Sequence, residues 1–151
     1  MANNILPLIG TKNFTSQEVI TNGIINLGSV YRKFCRRING IQTFTFDGND
    51  INLQQSGMYH ITVTATFSAS EAGDVVVSLF ENGIAVPGVS ATETITTPDT
   101  EFRTIALDYI ALVDSTCVLG VSATVAKAIS LVNTGVEATF SNVVVNIEKV
   151  V

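Results

Sequence analysis

The sequence predicts an all-β fold, an antiparallel sandwich of short strands, on three observations. Tyr59, Ile61, Val63, Ala65 and Phe67 alternate with His60, Thr62, Thr64, Thr66 and Ser68. Such a period of two marks a strand with one buried face. The apolar run 75–80 leads into Glu81-Asn82-Gly83, and an Asn-Gly step flanked by apolar residues favours a tight hairpin because both residues tolerate positive φ. Short apolar or alternating runs then recur along the chain between Gly, Asn, Asp and Pro, with no sustained helical period.

The elements follow in order. Residues 1–27 are rich in Asn, Thr and Gly with scattered Ile and Leu. They are expected to form an extended arm, with one helical turn near 16–20 capped by Thr15 or Ser16. The domain proper is expected over 28–151. Strands are predicted at 29–38, 43–46, 50–53, 58–68, 75–81, 90–96, 100–112, 117–125 and 138–149. The turns between them fall at Asn39-Gly40, Asp47-Gly48-Asn49, Gln55-Ser56-Gly57, Pro87-Gly88, Pro98-Asp99, Asp114-Ser115 and Asn133-Thr134-Gly135. The stretch 123–132 has helical spacing, but its Val and Ile favour strand or irregular structure. Eight or nine short strands indicate a sandwich or jelly roll.

Composition narrows the function. Apolar residues make up 46% of the 151-residue chain and charged residues 14%, against an average near 25% charged. The surplus apolar surface points to subunit contact. Val75-Val76-Val77 and Val143-Val144-Val145 place apolar groups on both faces of their strands, where a solitary sandwich has one solvated face. No apolar run approaches the roughly 20 residues of a membrane-spanning helix. No secretion signal precedes the domain, so assembly in a cytoplasm is expected, and the glycosylation pattern Asn13-Phe14-Thr15 carries no weight without one. Cys35 and Cys117 are expected as buried free thiols. Residues 1–40 hold five cations and one acid; residues 41–151 hold three cations and twelve acids. A basic front on an acidic body suggests a front that docks on something acidic.

Candidate sites are few. His60, the sole histidine, lies on the Thr-rich side of its strand with no nucleophile or orienting carboxylate nominated nearby, so a surface or interface position is expected rather than catalysis. Asp47-Gly48-Asn49-Asp50 offers clustered oxygens suited to a hard cation, yet suits an Asx-rich hairpin turn better. Half of the Lys and Arg residues sit in Arg32-Lys33-Phe34-Cys35-Arg36-Arg37, the candidate docking patch together with the arm residues Ile5, Leu6, Leu8, Ile9 and Phe14. If 29–38 is one strand, Arg32 and Arg36 point opposite to Lys33 and Arg37, so internal ion pairing competes with docking. The Ile105, Leu107, Tyr109 set is assigned to the core. Phosphate-loop, nucleophile-elbow, paired-carboxylate and metal-ligand patterns are missing, and neither a cofactor nor a nucleic-acid or membrane partner is expected.

Three further segments carry a resemblance. Gly57-Met58-Tyr59 opens a central strand; Leu79-Phe80-Glu81-Asn82-Gly83 ends another in a hairpin; Phe140-Ser141-Asn142-Val143-Val144-Val145 opens the last. In this order they resemble the jelly roll of the complement C1q and tumour-necrosis-factor group over roughly 28–151. Asn142 stands where that group usually has Gly, and no collagen-like tract precedes the domain. The segment 22–34, NGIINLGSVYRKF, is similar to one that leads into this jelly roll in small virion proteins of bacterial viruses. The resemblance implies a non-enzymatic homotrimeric knob on the virion surface, a capsid decoration or head-fibre protein held to a major capsid or other virion protein by its arm. The alternative is a receptor-binding tip for host glycan or protein, built from 47–50, 86–90 and 126–135.

Overall fold

The computed structural model describes residues 5–118, 121–124 and 126–151, with backbone alone at 115–118 and 121–124. Among the described residues every regular element is a strand. They are β1 (Leu8–Asn13), β2 (Gln17–Val19), β3 (Gly23–Ile24), β4 (Ser29–Phe34), β5 (Arg37–Ile38), β6 (Ile41–Gln42), β7 (Phe44–Phe46), β8 (Ile51–Leu53), β9 (Gly57–Ser68), β10 (Gly73–Glu81), β11 (Ile84–Ile95), β12 (Arg103–Val113), β13 (Ser115–Val118), β14 (Val121–Thr124), β15 (Lys127–Asn133) and β16 (Ala138–Lys149).

All pairings are antiparallel. The first sheet runs β12-β9-β16-β1-β4, with β2 on β16; the second runs β11-β10-β15-β8-β7, with β3 on β15. The alternation in β9 sets the layer between them. Tyr59, Ile61, Val63, Ala65 and Phe67 are all buried, and Val75, Val77 and Leu79 of β10 meet them in one apolar cluster. Phe44 packs edge-on to Tyr59 with ring centroids 5.8 Å apart, and Phe67 tilts on Phe140 at 5.4 Å. The expected turn at Asn82-Gly83 has both residues at positive φ, 51° and 78°. The jelly-roll sandwich is therefore the observed architecture.

β9 begins and β16 ends at one end of the sandwich, the foot. β9 ends, and β10 and β16 begin, at the other, the head.

Several expectations are corrected. Only residues 5–7 of the described chain precede the first strand, so the segment 8–27 is no separate arm. β1 lies between β16 and β4, every one of its residues opposite β16. Ile9, Val19, Ile25 and Leu27 are core residues. Residues 17–19 extend along β16 rather than making a helical turn. Residues 1–4 of the expected arm lie outside the described residues. The basic segment 29–38 is not one strand. β4 stops at Phe34, and the chain turns through the hairpin β5–β6 over Asn39-Gly40, both at positive φ. Pro87-Gly88 does not end a strand: β11 continues through it with a register break against β10. A proline is tolerated there because β11 is the sheet's edge.

The loop before β12 has its own clasp. The Glu101 carboxylate accepts the Thr97 amide (2.9 Å), the Thr96 amide (2.8 Å) and Arg103 Nε (2.7 Å). These bonds favour its charged form and hold its pKa down at about 2, against 4.5 ordinarily. A carboxylate whose folded pKa is depressed stabilises the fold above its unfolded pKa and loses that contribution as pH falls through the folded one. NMR titration of Glu101 is expected to give a midpoint near 2, and the stability gap between wild type and Glu101→Gln should close between about pH 4.5 and 2. A midpoint in the ordinary carboxylate range would show the clasp open in solution.

Candidate functional site

Two surfaces stand out from the solvated body. The first is the open face of the β12-β9-β16-β1-β4 sheet. Because side chains alternate, the residues opposite to the core set share this face in register. Leu112 faces Met58, Ile110 faces His60 and Asp108 faces Thr62. His60 faces Glu148 and Thr62 faces Asn146 on β16, and Glu148, Asn146 and Val144 face Leu8, Gly10 and Lys12 on β1.

The face is asymmetric. At its β12 side, toward the foot, Ile110 is 54% and Leu112 49% exposed beside half-exposed Met58. Asp108 Oδ1 lies 2.5 Å from His60 Nε2. At its β4 side Tyr31 lies across Gly10 and donates its hydroxyl proton to Asn146 Oδ1. Lys12 Nζ and Arg32 stand 5.2 and 5.8 Å from the Tyr31 ring centre. A Cβ on Gly10 would come within 2.6 Å of that ring, so the missing side chain is what seats the tyrosine. One margin is thus apolar with a carboxylate; the other is aromatic with two cations.

The second surface is the foot. Buried Gln55 builds it. Its Nε2 donates to the carbonyls of Arg36 (2.6 Å) and Ile41 (2.9 Å), while its Oε1 accepts Thr43 Oγ1 (3.1 Å) and Lys149 Nζ (3.3 Å). The Arg36 amide in turn donates to Thr43 Oγ1. This network fixes the 36–41 hairpin beside residues 5–7. Three adjoining hollows result, one edged by Ile5, Leu6, Pro7 and Arg36, one by Ile38, Lys149 and Val151, and one by Ile38, Ile41 and Gln54. Ile5, Leu6, Ile38 and Ile41 are all exposed. Burial lowers the Lys149 pKa, and repulsion from Arg36 lowers it further.

Charge is sorted along the long axis. Lys33, Arg36, Arg37, Lys127 and Lys149 lie toward the foot with Glu81, Asp114 and Glu148; Lys127 pairs with Glu81 at 3.2 Å. The head holds Glu18, Glu71, Asp74, Glu93, Asp99, Glu101 and Glu137 against Arg103. More than half of the thirteen acids are at one end and more than half of the eight cations at the other.

The residues singled out for docking separate into groups. Ile5, Leu6, Arg36 and Arg37 meet at the foot, with Lys33 at the lower end of β4. Leu8 is half-buried on the open face and Arg32 lies there beside Tyr31. Ile9 is 1% exposed and is a core residue, unavailable to a partner. Phe14 is 61% exposed but beyond the far end of β1, about 20 Å from the foot at roughly 3.3 Å per residue. Ile38, Ile41, Lys149, Ile110 and Leu112 escaped the sequence reading. For Ile110 and Leu112 the signal existed: assigning Ile105, Leu107 and Tyr109 to the core puts the opposite parity outside.

The remaining candidates are structural or dispersed. The Asp47 carboxylate accepts the amides of Asp50 (2.7 Å) and Asn49 (3.0 Å), an Asx turn whose bonds lower its pKa. His60 does have a carboxylate partner, which adjacent sequence did not reveal, but makes no other hydrogen bond among the described residues. The segments 86–90 and 126–135 form no loop tip with 47–50, since they are largely β11 and the interior strand β15. Cys35 is a free thiol, half-buried against the Phe44 carbonyl rather than fully buried; the Cys117 side chain lies outside the described residues.

No family model and no curated protein sequence matches the chain. Among solved structures it is similar to the globular domain of the zebrafish complement 1qA protein, with a TM-score of 0.60 and 8% identity over 96% of this chain and 98% of that one. It is similar to PRD1 vertex protein P5, with a TM-score of 0.51 and 16% identity over 99% of this chain and 100% of that one. It is similar also to the Eiger TNF of S. frugiperda, at 0.53 and 10% over 97% and 92%. Identities this low establish the fold: a C1q/TNF-like jelly roll.

Proposed function

We propose that this chain is a non-enzymatic structural protein of a virus particle, a homotrimeric jelly-roll knob displayed on the virion of a bacterial virus as a capsid decoration or head-fibre protein. The carrying observation is the asymmetric open face. Ile110, Leu112 and Met58 leave apolar area unburied on a strand-paired surface that single soluble domains usually keep polar. The cation-rich margin of Lys12 and Arg32 complements the Asp108 margin of another copy. Contacts between two different patches of identical chains are head-to-tail, and they close into a ring when the rotation permits. Three copies are what the resemblance of 22–34 and of the jelly-roll segments implies. The particle setting draws support from the likeness to a vertex protein over the whole of its solved chain.

Sedimentation of the full chain at micromolar concentration tests the assembly. A trimer is expected, and Ile110→Asp with Leu112→Asp should yield single subunits with an unchanged far-UV spectrum. A wild-type chain that sediments as a lone subunit overturns the reading. Cryo-electron microscopy of the encoding virus's particles tests the setting: three-lobed knobs on the shell are expected, and particles without the chain rule it out.

A further inference from the structure

The foot has a pattern of its own. Its isoleucines and leucine stand exposed on a base held rigid by Gln55, and cations surround them. A surface of this make is complementary to a partner whose carboxylates ring an apolar ridge. We propose that the foot is a docking surface for an acidic protein, whose carboxylates meet Lys33 and Arg37 and whose apolar side chains cover Ile5, Leu6, Ile38 and Ile41. This names the attachment point in the particle reading above and rests on that reading.

Three physical arguments favour a protein partner. A desolvated apolar centre with a polar rim is the anatomy of protein interfaces, whereas phosphate backbones offer isoleucine nothing to pack against. Within a net charge of −5, the separation of charge along the axis turns the foot toward an acidic partner and the head away, and the apolar centre selects a protein among acidic partners. Preorganisation matters as well. Gln55 fixes the 36–41 hairpin before any partner arrives, so little ordering entropy is lost on contact.

The test uses the intact chain and four probes: poly-glutamate, a glutamate–leucine copolymer, duplex DNA and phosphatidylglycerol vesicles. The copolymer is expected to bind most tightly, with affinity falling as salt rises. Lys33→Glu with Arg37→Glu should weaken copolymer binding by about tenfold or more. Ile38→Asp with Ile41→Asp should remove the preference for the copolymer over poly-glutamate. Arg103→Glu, the same charge change at the head, should leave binding within about twofold. Circular dichroism of each variant confirms that it is folded. No copolymer binding, equal binding by the Lys33/Arg37 variant, or tighter binding of DNA or vesicles overturns the proposal. Sedimentation of the same samples separates the two claims: lone subunits sink the trimer whatever the copolymer does.

Discussion

A chain lacking residues 1–13 is expected to lose its cooperative fold. An arm that served only to dock would be dispensable to the domain, but β1 is an interior strand. It pairs with β16 along its whole length, and among the described residues it is the strand that β4 pairs with. Its removal strips β16 of one row of hydrogen bonds, detaches β4 and uncovers the core at Ile9. Burying one isoleucine contributes about 1.5–3 kcal/mol. Each unsatisfied buried polar group left behind costs about 1–3 kcal/mol more. Against a total stability of about 5–15 kcal/mol, several such losses together leave no margin. Removing residues 1–4 alone spares every strand of the described residues and should leave the melting transition in place. Thermal unfolding followed by near-UV circular dichroism distinguishes the cases. A cooperative transition in the chain without residues 1–13, within a few degrees of wild type, would mean that β1 does not hold the sheet together.

Gly135→Ala is expected to be severely damaging for a change of a single methyl group. Gly135 lies between β15 and β16, where the Thr134 and Val136 amides donate to the Val76 and Asp74 carbonyls. Buried Asn133 clamps the turn: its Nδ2 reaches the Val19 and Val136 carbonyls, and its Oδ1 accepts the Gly135 amide. An added Cβ would come 2.6 Å from the Val76 nitrogen and 3.0 Å from the Val75 Cα, and closer still to the Asp74 oxygen. These are backbone atoms in paired strands and cannot swing aside as a side-chain tip can. A cost of about 2–4 kcal/mol follows, in the range of severe overpacking. For a chain of this size that is a fall in melting temperature of roughly 5–15 °C. Gly83→Ala is the contrast. Its added Cβ meets nothing within 4 Å, but the residue sits at φ +78°, so it should bear only left-handed strain of about 1–2 kcal/mol. Equal losses at the two sites would show that the turn at Gly135 yields.

How much was legible in the sequence depends on the range of the forces involved. The strand at 57–68 and the Asn82-Gly83 hairpin are local matters of side-chain alternation and φ tolerance, and both are present in the structure. β1 was not legible. Gly10 and Thr11 break its apolar pattern, and its strand identity comes from β16, whose paired residues lie far along the chain, as Leu8 opposite Glu148 and Asn13 opposite Val143. The basic run 32–37 was legible as charge but not as geometry, because the bend after Phe34 is held by Gln55 and Thr43 from outside the run.

Sequence alone determined the all-β class, the jelly-roll resemblance and the excess of apolar over charged residues, since alternation, turn chemistry and composition act between near neighbours. Only the tertiary structure decided which charges gather at the foot, that Ile9 is core while Ile5 and Leu6 are surface, and that Asp108 stands beside His60. Those outcomes depend on which strands lie side by side, and strand order arises from burial summed over the whole chain rather than from any one segment of it.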